Sequence, residues 1–282
     1  MNYWWIALIV AAVAAIEAVI AWLIRNDRKT VMLVMITLAS VLLTYKTIEF
    51  AYYRIARKGL YPVEFSHISY FVFAATACMG AKKMRAFAGI CSVFAGFGYL
   101  IGAVFSPNSI VTEASAIVNI PISILQHEVL WFVGLLLLFN VDRYSIKEIW
   151  VSIVGVAVMV IFSVLVYNRI IYKDFVNRDK MIIIKIVTGK IAEYLTGPGN
   201  LSMVWQVITA VAMAIASAGL LVSFYFINEA AFKKREKNGR VIKHADYEVG
   251  ILPLIKSLIE KRKKKELASE SASAEREEIT GE

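Results

Sequence analysis

The chain has 282 residues, of which 59% are hydrophobic and 19% are charged, and its mean hydropathy is +0.64. Soluble domains have about 45–50% apolar and about 25% charged residues, so these values exclude an ordinary soluble domain and indicate a polytopic membrane protein. The formal net charge is +9, but the basic residues flank apolar runs. That placement favours contact with anionic lipid over nucleic acid, and we expect no nucleic-acid partner.

Seven apolar runs approach the roughly 20 residues that a transmembrane helix needs. They cover about residues 3–24, 30–53, 61–80, 86–105, 114–139, 149–171 and 203–228. The first run is too long for a signal peptide, so we expect an uncleaved span anchored by Tyr3, Trp4 and Trp5. The connections are short, so the predicted fold is all-α, with about seven transmembrane helices forming an antiparallel bundle at residues 1–230.

The placement of lysine and arginine predicts a cell-membrane protein with its N-terminus outside and its C-terminus in the cytoplasm. Three basic connections then fall inside: 25–29, 82–85 and 140–147. The connection 106–113 has no basic residue and falls outside. Two connections are exceptions, because this topology places their basic residues on the outer side. They are the connection with Arg54, Arg57 and Lys58, and the segment 172–200.

Two segments outside the spans have patterns of their own. Residues 181–187 are apolar but too short to cross a membrane, and turn-forming residues follow at 196–200. We therefore expect an interfacial or re-entrant segment before the last span, with an ordinary surface helix as the alternative. Residues 231–266 form a basic juxtamembrane segment with an amphipathic helix at 249–266, and residues 267–282 have the composition of a disordered tail.

The basic run within the amphipathic segment predicts contact with anionic lipid headgroups. It consists of Lys261, Arg262, Lys263, Lys264 and Lys265. A protein partner that binds residues 249–266 and a simple solvated positive-inside signal are the other two interpretations.

Polar residues inside the apolar runs indicate a functional site, because such groups are costly in a bilayer and usually face a protein interior or a water-filled cavity. In the seven-span topology, six of them are expected to share one cavity in the outer half of the membrane, with the third and fifth spans side by side. These six are Lys46, Glu49, Glu64, Ser66, His67 and His127.

Helical spacing limits which of these side chains can cooperate. Ser66 and Ser69 share a face, whereas Ser66 and His67 point about 100 degrees apart. A base for the Ser66 hydroxyl is therefore better supplied by His127 from another helix, and Glu49 could orient that histidine, as could Glu64.

Structural roles are the alternatives for the same residues. Ser66 could back-bond to a helix carbonyl, His127 could make a helix–helix hydrogen bond, and Lys46 could pair with Glu49. The histidines and glutamates show no paired-ligand spacing, so no metal is expected. No Gly-rich phosphate loop is present, and no cofactor is expected.

The start of the third span resembles the signature of a membrane-protein family. Residues 60–69, Leu-Tyr-Pro-Val-Glu-Phe-Ser-His-Ile-Ser, are similar to the pattern L-P-x-x-x-C-x-I-S of YwaF-like bacterial integral membrane proteins. Three shorter pieces follow in the family's order. Residues 103–107 resemble its loop entry, residues 125–127 its histidine element, and residues 195–200 its L-G-P-x-P element.

This resemblance implies a chemistry. Eukaryotic relatives of the family resemble transmembrane phospholipid acyltransferases, with the signature cysteine as nucleophile and the later histidine as base. Carried over, Ser66 stands at the nucleophile position and His127 at the base position. For such a reaction we expect Lys46 or Asn119 to donate a hydrogen bond to the oxyanion. Serine replaces cysteine here, so the resemblance implies an acyl ester, or alternatively a retained fold without the activity.

Three functions are therefore considered. The first is acyl transfer on membrane phospholipid. The second is a non-catalytic membrane subunit or lipid-binding accessory factor of an envelope complex. The third is a transporter with a path along Lys46, Glu49 and His127, although no inverted repeat or pair of discontinuous helices favours it.

Overall fold

The computed structural model describes residues 4–57, 61–105, 119–141, 143–173, 181–190 and 202–237, together with 255, 259–260 and 262–264. All regular structure in these residues is helical. The main helices are α1 (Trp4–Leu23), α2 (Arg28–Arg57), α3 (Phe65–Met79), α4 (Arg85–Phe105), α5 (Asn119–Leu136), α6 (Ile146–Tyr167), α7 (Ile182–Val187) and α8 (Met203–Lys237). A π-helical turn, Leu137–Val141, continues α5.

Six of these helices are long and apolar enough to cross a membrane: α1, α2, α4, α5, α6 and α8. Large apolar side chains on their outer faces, such as Ile16, Val154 and Ile215, are exposed, which suits contact with lipid. The predicted third span is shorter than expected, because α3 has only 15 residues and begins at Phe65. The prediction of an all-helical, multi-pass architecture is supported at this level.

A polar cap sets the start of α2. The backbone N–H of Thr30 donates to Asp27 Oδ1 at 3.1 Å, and its hydroxyl donates to Oδ2 at 2.5 Å. These bonds satisfy helix donors that have no partner within the helix. They also hold the pKa of Asp27 below its usual value, so the contribution of this cap to stability is present at neutral pH and is lost as the pH falls through that lowered pKa.

The closest helix contact in the core joins α4 to α5 through two glycines. A Cβ added at Gly96 would lie 2.9 Å from the carbonyl oxygen of His127 and 2.7 Å from Cα of Trp131. A Cβ added at Gly134 would lie 2.8 Å from the backbone N of Val93. Small residues allow helix backbones to approach this closely in membranes, and here they bring α4 directly against the polar part of α5.

The remaining helices surround this pair. α3 packs mainly against α2 and α4, while α1 packs against α4 and α5. The main core cluster combines buried side chains from α2, α3 and α5. It includes Met35, Leu42, Tyr70, Phe73, Leu130 and Leu136. α6 packs on the other side of α4, and α8 contacts α6, α7 and the π-helical turn.

The short α7 lies in the region where an interfacial segment was predicted. Met181 and Ile184 are buried against Val166 of α6 and against Tyr61 and Val63, which precede α3. The connection before α3 and the segment before α8 therefore meet. Residues 191–200, with the predicted turn residues, lie outside the described part of the chain.

The π-helical turn leaves carbonyl groups without intrahelical partners, and side chains satisfy them. The hydroxyl of Tyr144 donates to the carbonyl of Leu137 at 2.9 Å, and Nδ2 of Asn228 donates to that of Leu138 at 2.6 Å. Oδ1 of Asn228 also accepts from the backbone N–H of Tyr144 at 2.8 Å. The fully buried Asn228 thus fixes α8 to the turn between α5 and α6.

The glycine contact generates a first prediction. Replacing Gly96 with alanine forces the α4 and α5 backbones apart, and overpacking of this kind costs about 1–3 kcal/mol. Gly102→Ala is the matched control on the same helix, because nothing lies within 4 Å of its added Cβ. We expect thermal unfolding in detergent to show a lower midpoint for Gly96→Ala and no loss for Gly102→Ala. Equal midpoints would contradict the close packing.

The contact of Asn228 generates a second prediction. Asn228→Leu keeps a similar volume but leaves the N–H of Tyr144 and the carbonyl of Leu138 unpaired, at a cost of about 1–3 kcal/mol for each buried group. Asn168→Leu is the control, because Asn168 is exposed and bonds only to its own helix. Proteolysis should release α8 from Asn228→Leu faster than from the control. Identical cleavage rates would show that Asn228 does not hold α8.

Candidate functional site

The buried amine of Lys46 is the centre of a polar cluster between α2, α3 and α5. Lys46 is 3% exposed, and its Nζ donates to Glu49 Oε2 at 2.6 Å and also to Oε1 of Gln126. Nζ also lies 4.4 Å from the ring centroid of Tyr70, within the range of a cation–π contact. A carboxylate, an amide and an aromatic face thus compensate the cost of burying this cation.

The imidazole of His127 is held by its own helix. Its Nδ1 lies 2.8 Å from the backbone oxygen of Ser123, one turn earlier on α5. A carbonyl oxygen only accepts, so Nδ1 must carry the proton of this bond. In a neutral ring the lone pair then lies on Nε2, which makes no hydrogen bond with any described residue. This is the tautomer that a general base of the Ser–His type needs.

Aromatic rings fix the plane of the same imidazole. The ring of Tyr99 on α4 stacks on His127 with centroids 3.7 Å apart and planes 8° apart. The hydroxyl of Tyr99 donates to the hydroxyl of Ser123 at 2.9 Å, and the hydroxyl of Tyr70 lies 3.5 Å from Nδ1 of His127. The stacking depends on the contact at Gly96, which brings α4 within reach of α5.

The predicted residues of α3 occupy different surroundings. The ring of His67 meets Phe50 of α2 edge to face at 5.0 Å, and its Nδ1 is buried without a hydrogen-bond partner among the described residues. Ser69 is buried and donates to the carbonyl of Phe65 at 2.7 Å. Glu64 is partly buried at the position before the first turn of α3.

Ser66, the predicted nucleophile, is partly buried and makes no hydrogen bond to His127. We expected the third and fifth spans, which correspond to α3 and α5, to lie side by side, and the structure shows a different arrangement. Helix α3 packs mainly on α2 and α4 and contacts α5 only lightly, because α4 fits closely against α5 at Gly96 and Gly134. Ser66 is nevertheless one helical turn before Tyr70, whose hydroxyl reaches the His127 ring.

The structure thus brings together Lys46, Glu49 and His127, linked through Gln126 and Tyr70. The alternative that Lys46 pairs with Glu49 is observed, and the back-bonding considered for Ser66 is instead observed at Ser69.

Some predicted residues lie wholly or partly outside the described part of the chain. Asn119 begins α5, but its side chain is not among the described groups. Within the basic run, Arg262, Lys263 and Lys264 are helical and exposed, whereas Lys261 and Lys265 fall outside the described residues.

Sequence reasoning missed Gln126, Tyr70, Tyr99 and Glu17 as partners in polar contacts. Gln126 and Glu17 carried a signal, because each is a polar residue within a long apolar run. Tyr70 and Tyr99 carried none, since aromatic residues are common in membrane helices and only the helix packing shows which of them meet an imidazole.

Comparison of the chain with protein-family models, with curated proteins and with solved structures finds no match. The fold and the site define a class only: a multi-pass, all-helical protein with membrane-spanning character and a buried Lys–Glu–Gln–Tyr–His cluster.

The burial of Lys46 generates a third prediction. Lys46→Met removes the cation that pairs with Glu49 and donates to Gln126, and removing one partner of a buried ion pair costs about 3–5 kcal/mol. Glu49 is 20% exposed and also accepts from the hydroxyl of Tyr45 at 3.5 Å, so the lower end of that range applies. The double variant Lys46→Met/Glu49→Leu should recover most of the loss. Lys29→Met, at an exposed position on the same helix, is the control. Thermal unfolding midpoints are compared for wild type and the three variants. An unchanged midpoint for Lys46→Met would contradict the conclusion that Lys46 and Glu49 form a stabilising buried pair.

Proposed function

We propose that this chain is a seven-span cell-membrane protein that transfers an acyl chain on a membrane phospholipid, with Ser66 as nucleophile and His127 as general base. The observation that carries the proposal is the hydrogen bond from Nδ1 of His127 to the Ser123 carbonyl at 2.8 Å, because it leaves Nε2 available to accept a proton. The resemblance of residues 60–69 to the acyl-transfer signature supports the choice of Ser66.

Helix α3 is the seventh crossing in this proposal. Its 15 residues rise only about 22 Å, at about 1.5 Å per residue, against a hydrocarbon core of about 30 Å. Its first turn, with Ser66 and His67, therefore begins below the membrane surface. Tyr61 and Val63 are 1% and 2% exposed, which suits irregular backbone that protein must cover at membrane depth.

The contact between the segments that precede α3 and α8 supports the alternating topology. Tyr61 and Val63 meet Met181 and Ile184, and in an antiparallel seven-span bundle both segments lie on the outer side. The basic residues of the first and third connections then lie in the cytoplasm with the C-terminus. The N-terminus is outside.

The proposed reaction uses the chain's own groups. Nε2 of His127 accepts the hydroxyl proton of Ser66 as Oγ attacks the ester carbonyl of a phospholipid. The ester bond breaks, the lysolipid oxygen takes the proton from His127, and an acyl-Ser66 ester remains for a lysolipid acceptor or water. Two hydrogens of the Lys46 ammonium are engaged by Glu49 and Gln126, so the third is a possible donor to the oxyanion.

A non-catalytic membrane subunit or lipid-binding factor is the second candidate. The observation that favours it is the internal pairing of Lys46 together with the absence of a hydrogen bond between Ser66 and His127. In this case the cluster ties α2, α3 and α5 together and has no chemical role. The transporter alternative gains no support from the described helices.

The C-terminal segment is proposed as a lipid contact. Ile255 and Ile259 are four residues apart and both exposed, and the exposed Arg262, Lys263 and Lys264 follow them in helical conformation. An apolar stripe beside a basic cluster is typical of a helix that lies in the headgroup plane of anionic lipid. A protein partner that binds residues 249–266 is the alternative.

The proposed reaction generates a fourth prediction. In vesicles that contain a labelled phospholipid and a lysolipid acceptor, Ser66→Ala should abolish acyl transfer, and His127→Gln should lower its rate about 100-fold or more, the typical effect of losing a general base. Ser163→Ala is the matched control, because Ser163 is buried on α6 and bonds only to Met159. Transfer by Ser66→Ala at the wild-type rate would end the acyl-transfer proposal, and no transfer by the folded wild-type protein would favour the non-catalytic candidate.

A further inference from the structure

A second buried polar group lies between α1 and α5, on a different face of α5 from the His127 ring. Glu128 is 1% exposed, and neither of its carboxyl oxygens accepts a hydrogen bond from a described donor. Oε2 of Glu17 is likewise buried without a donor. The side chains of Glu17 and Glu128 lie close enough for their carboxyl groups to interact, so two acidic side chains meet within the helix bundle.

The backbones around this pair are fixed on both sides. Nε1 of Trp131 donates to the carbonyl of Ala14 at 3.3 Å, and Nδ2 of Asn140 donates to the carbonyl of Ala21 at 2.8 Å. Ala14, Glu17 and Ala21 follow one another at helical spacing on the face of α1 that meets the bundle. The two bonds bracket Glu17, so α1 cannot turn the carboxyl away without breaking them.

Among the described side chains, none donates a hydrogen bond to either oxygen of Glu128 or to Oε2 of Glu17. Lys46 of α2 is engaged by Glu49 and Gln126. Tyr99 of α4 stacks on His127 and donates to Ser123. His127 itself donates to the carbonyl of Ser123. Both oxygens of Glu128 are buried without a donor. Neither the Lys46 ammonium nor the Tyr99 hydroxyl therefore compensates a negative charge on Glu128.

Two ionised carboxylates cannot persist in this position. Each ionised carboxylate only accepts hydrogen bonds, so a bond between the two requires a proton on one of them. Burying an isolated charge in a low-dielectric interior costs several kcal/mol of stability. Two neighbouring negative charges also repel each other. A bound proton removes one charge and supplies the missing donor.

We propose that Glu17 and Glu128 form an intramembrane proton-binding site, in which the two carboxyl groups share one proton across the α1–α5 contact. The ligand is a proton and not a metal ion: no group of three or more histidine, cysteine or acidic side chains occurs among the described residues. Loss of the proton places two like charges in the contact that joins α1 to the bundle, so occupancy of the site controls how firmly α1 packs.

This proposal is independent of acyl transfer and is tested without a lipid substrate. Infrared spectra of the protein in lipid nanodiscs at neutral pH report the carbonyl band of a protonated carboxylic acid. We expect wild type to show a band that the double variant Glu17→Gln/Glu128→Gln loses. The single variants provide an amide donor to the remaining carboxylate, so each should lose the same band. Glu260→Gln is the control, because Glu260 is exposed and lies outside the helix bundle, and its spectrum should keep the band.

Two outcomes would overturn the proposal. The first is a wild-type spectrum in which no protonated-acid band is present, or in which the band is still present in Glu17→Gln/Glu128→Gln. The second is a sodium dependence: the unfolding midpoint of wild type would rise in sodium relative to choline at constant pH, and that rise would be absent from the double variant. Such a result would assign the carboxyls to a metal cation and not to a proton.

Discussion

The close approach of α4 to α5 is the contact on which the rest of the described bundle depends. Gly96 and Gly134 let the two backbones meet where any larger side chain would collide with main-chain atoms. That approach places Tyr99 on the face of His127 and orients α5 so that its opposite sides meet α1 and α2. Because lipid offers no hydrogen bonds, a helix in this environment can carry polar residues only where other helices come near enough to pair with them.

Helix α5 and its π-helical turn carry most of these pairings. Gln126 accepts from Lys46 of α2, Glu128 meets Glu17 of α1, and the carbonyl of Leu138 accepts from Asn228 of α8. Each of these contacts joins α5 to a different helix, so the polar groups of α5 add to the close glycine packing in tying the bundle together.

The sequence was sufficient to predict the class of fold. Apolar runs of membrane length predicted helical spans. The first and second runs agree closely with α1 and α2, and the last run agrees with the start of α8, which continues beyond it to Lys237. The late start of α3 was missed, although Pro62 and Glu64 interrupt the apolar run and proline is a signal of a helix boundary. Burial of Tyr61 and Val63 against Met181 and Ile184 accompanies the irregular backbone there, and the sequence did not show that contact.

The site was predictable in part for a related reason. Lys46, Glu49 and His127 stand out as polar residues in apolar runs, so their grouping followed from topology. The position of α3 did not follow, since glycine is frequent in membrane helices. The sequence does not show that Gly96 faces α5 and Gly134 faces α4, while nothing lies close to Gly98 and Gly102.

The protonation of His127 tests the central claim most directly, because a general base requires the lone pair on Nε2. The chain has three histidines, so nitrogen-15 solid-state NMR of the labelled protein in lipid can assign each ring by its loss in a His→Gln variant. We expect His127 to carry its proton on Nδ1, with Nε2 unprotonated. A proton on Nε2, alone or together with Nδ1, would contradict it.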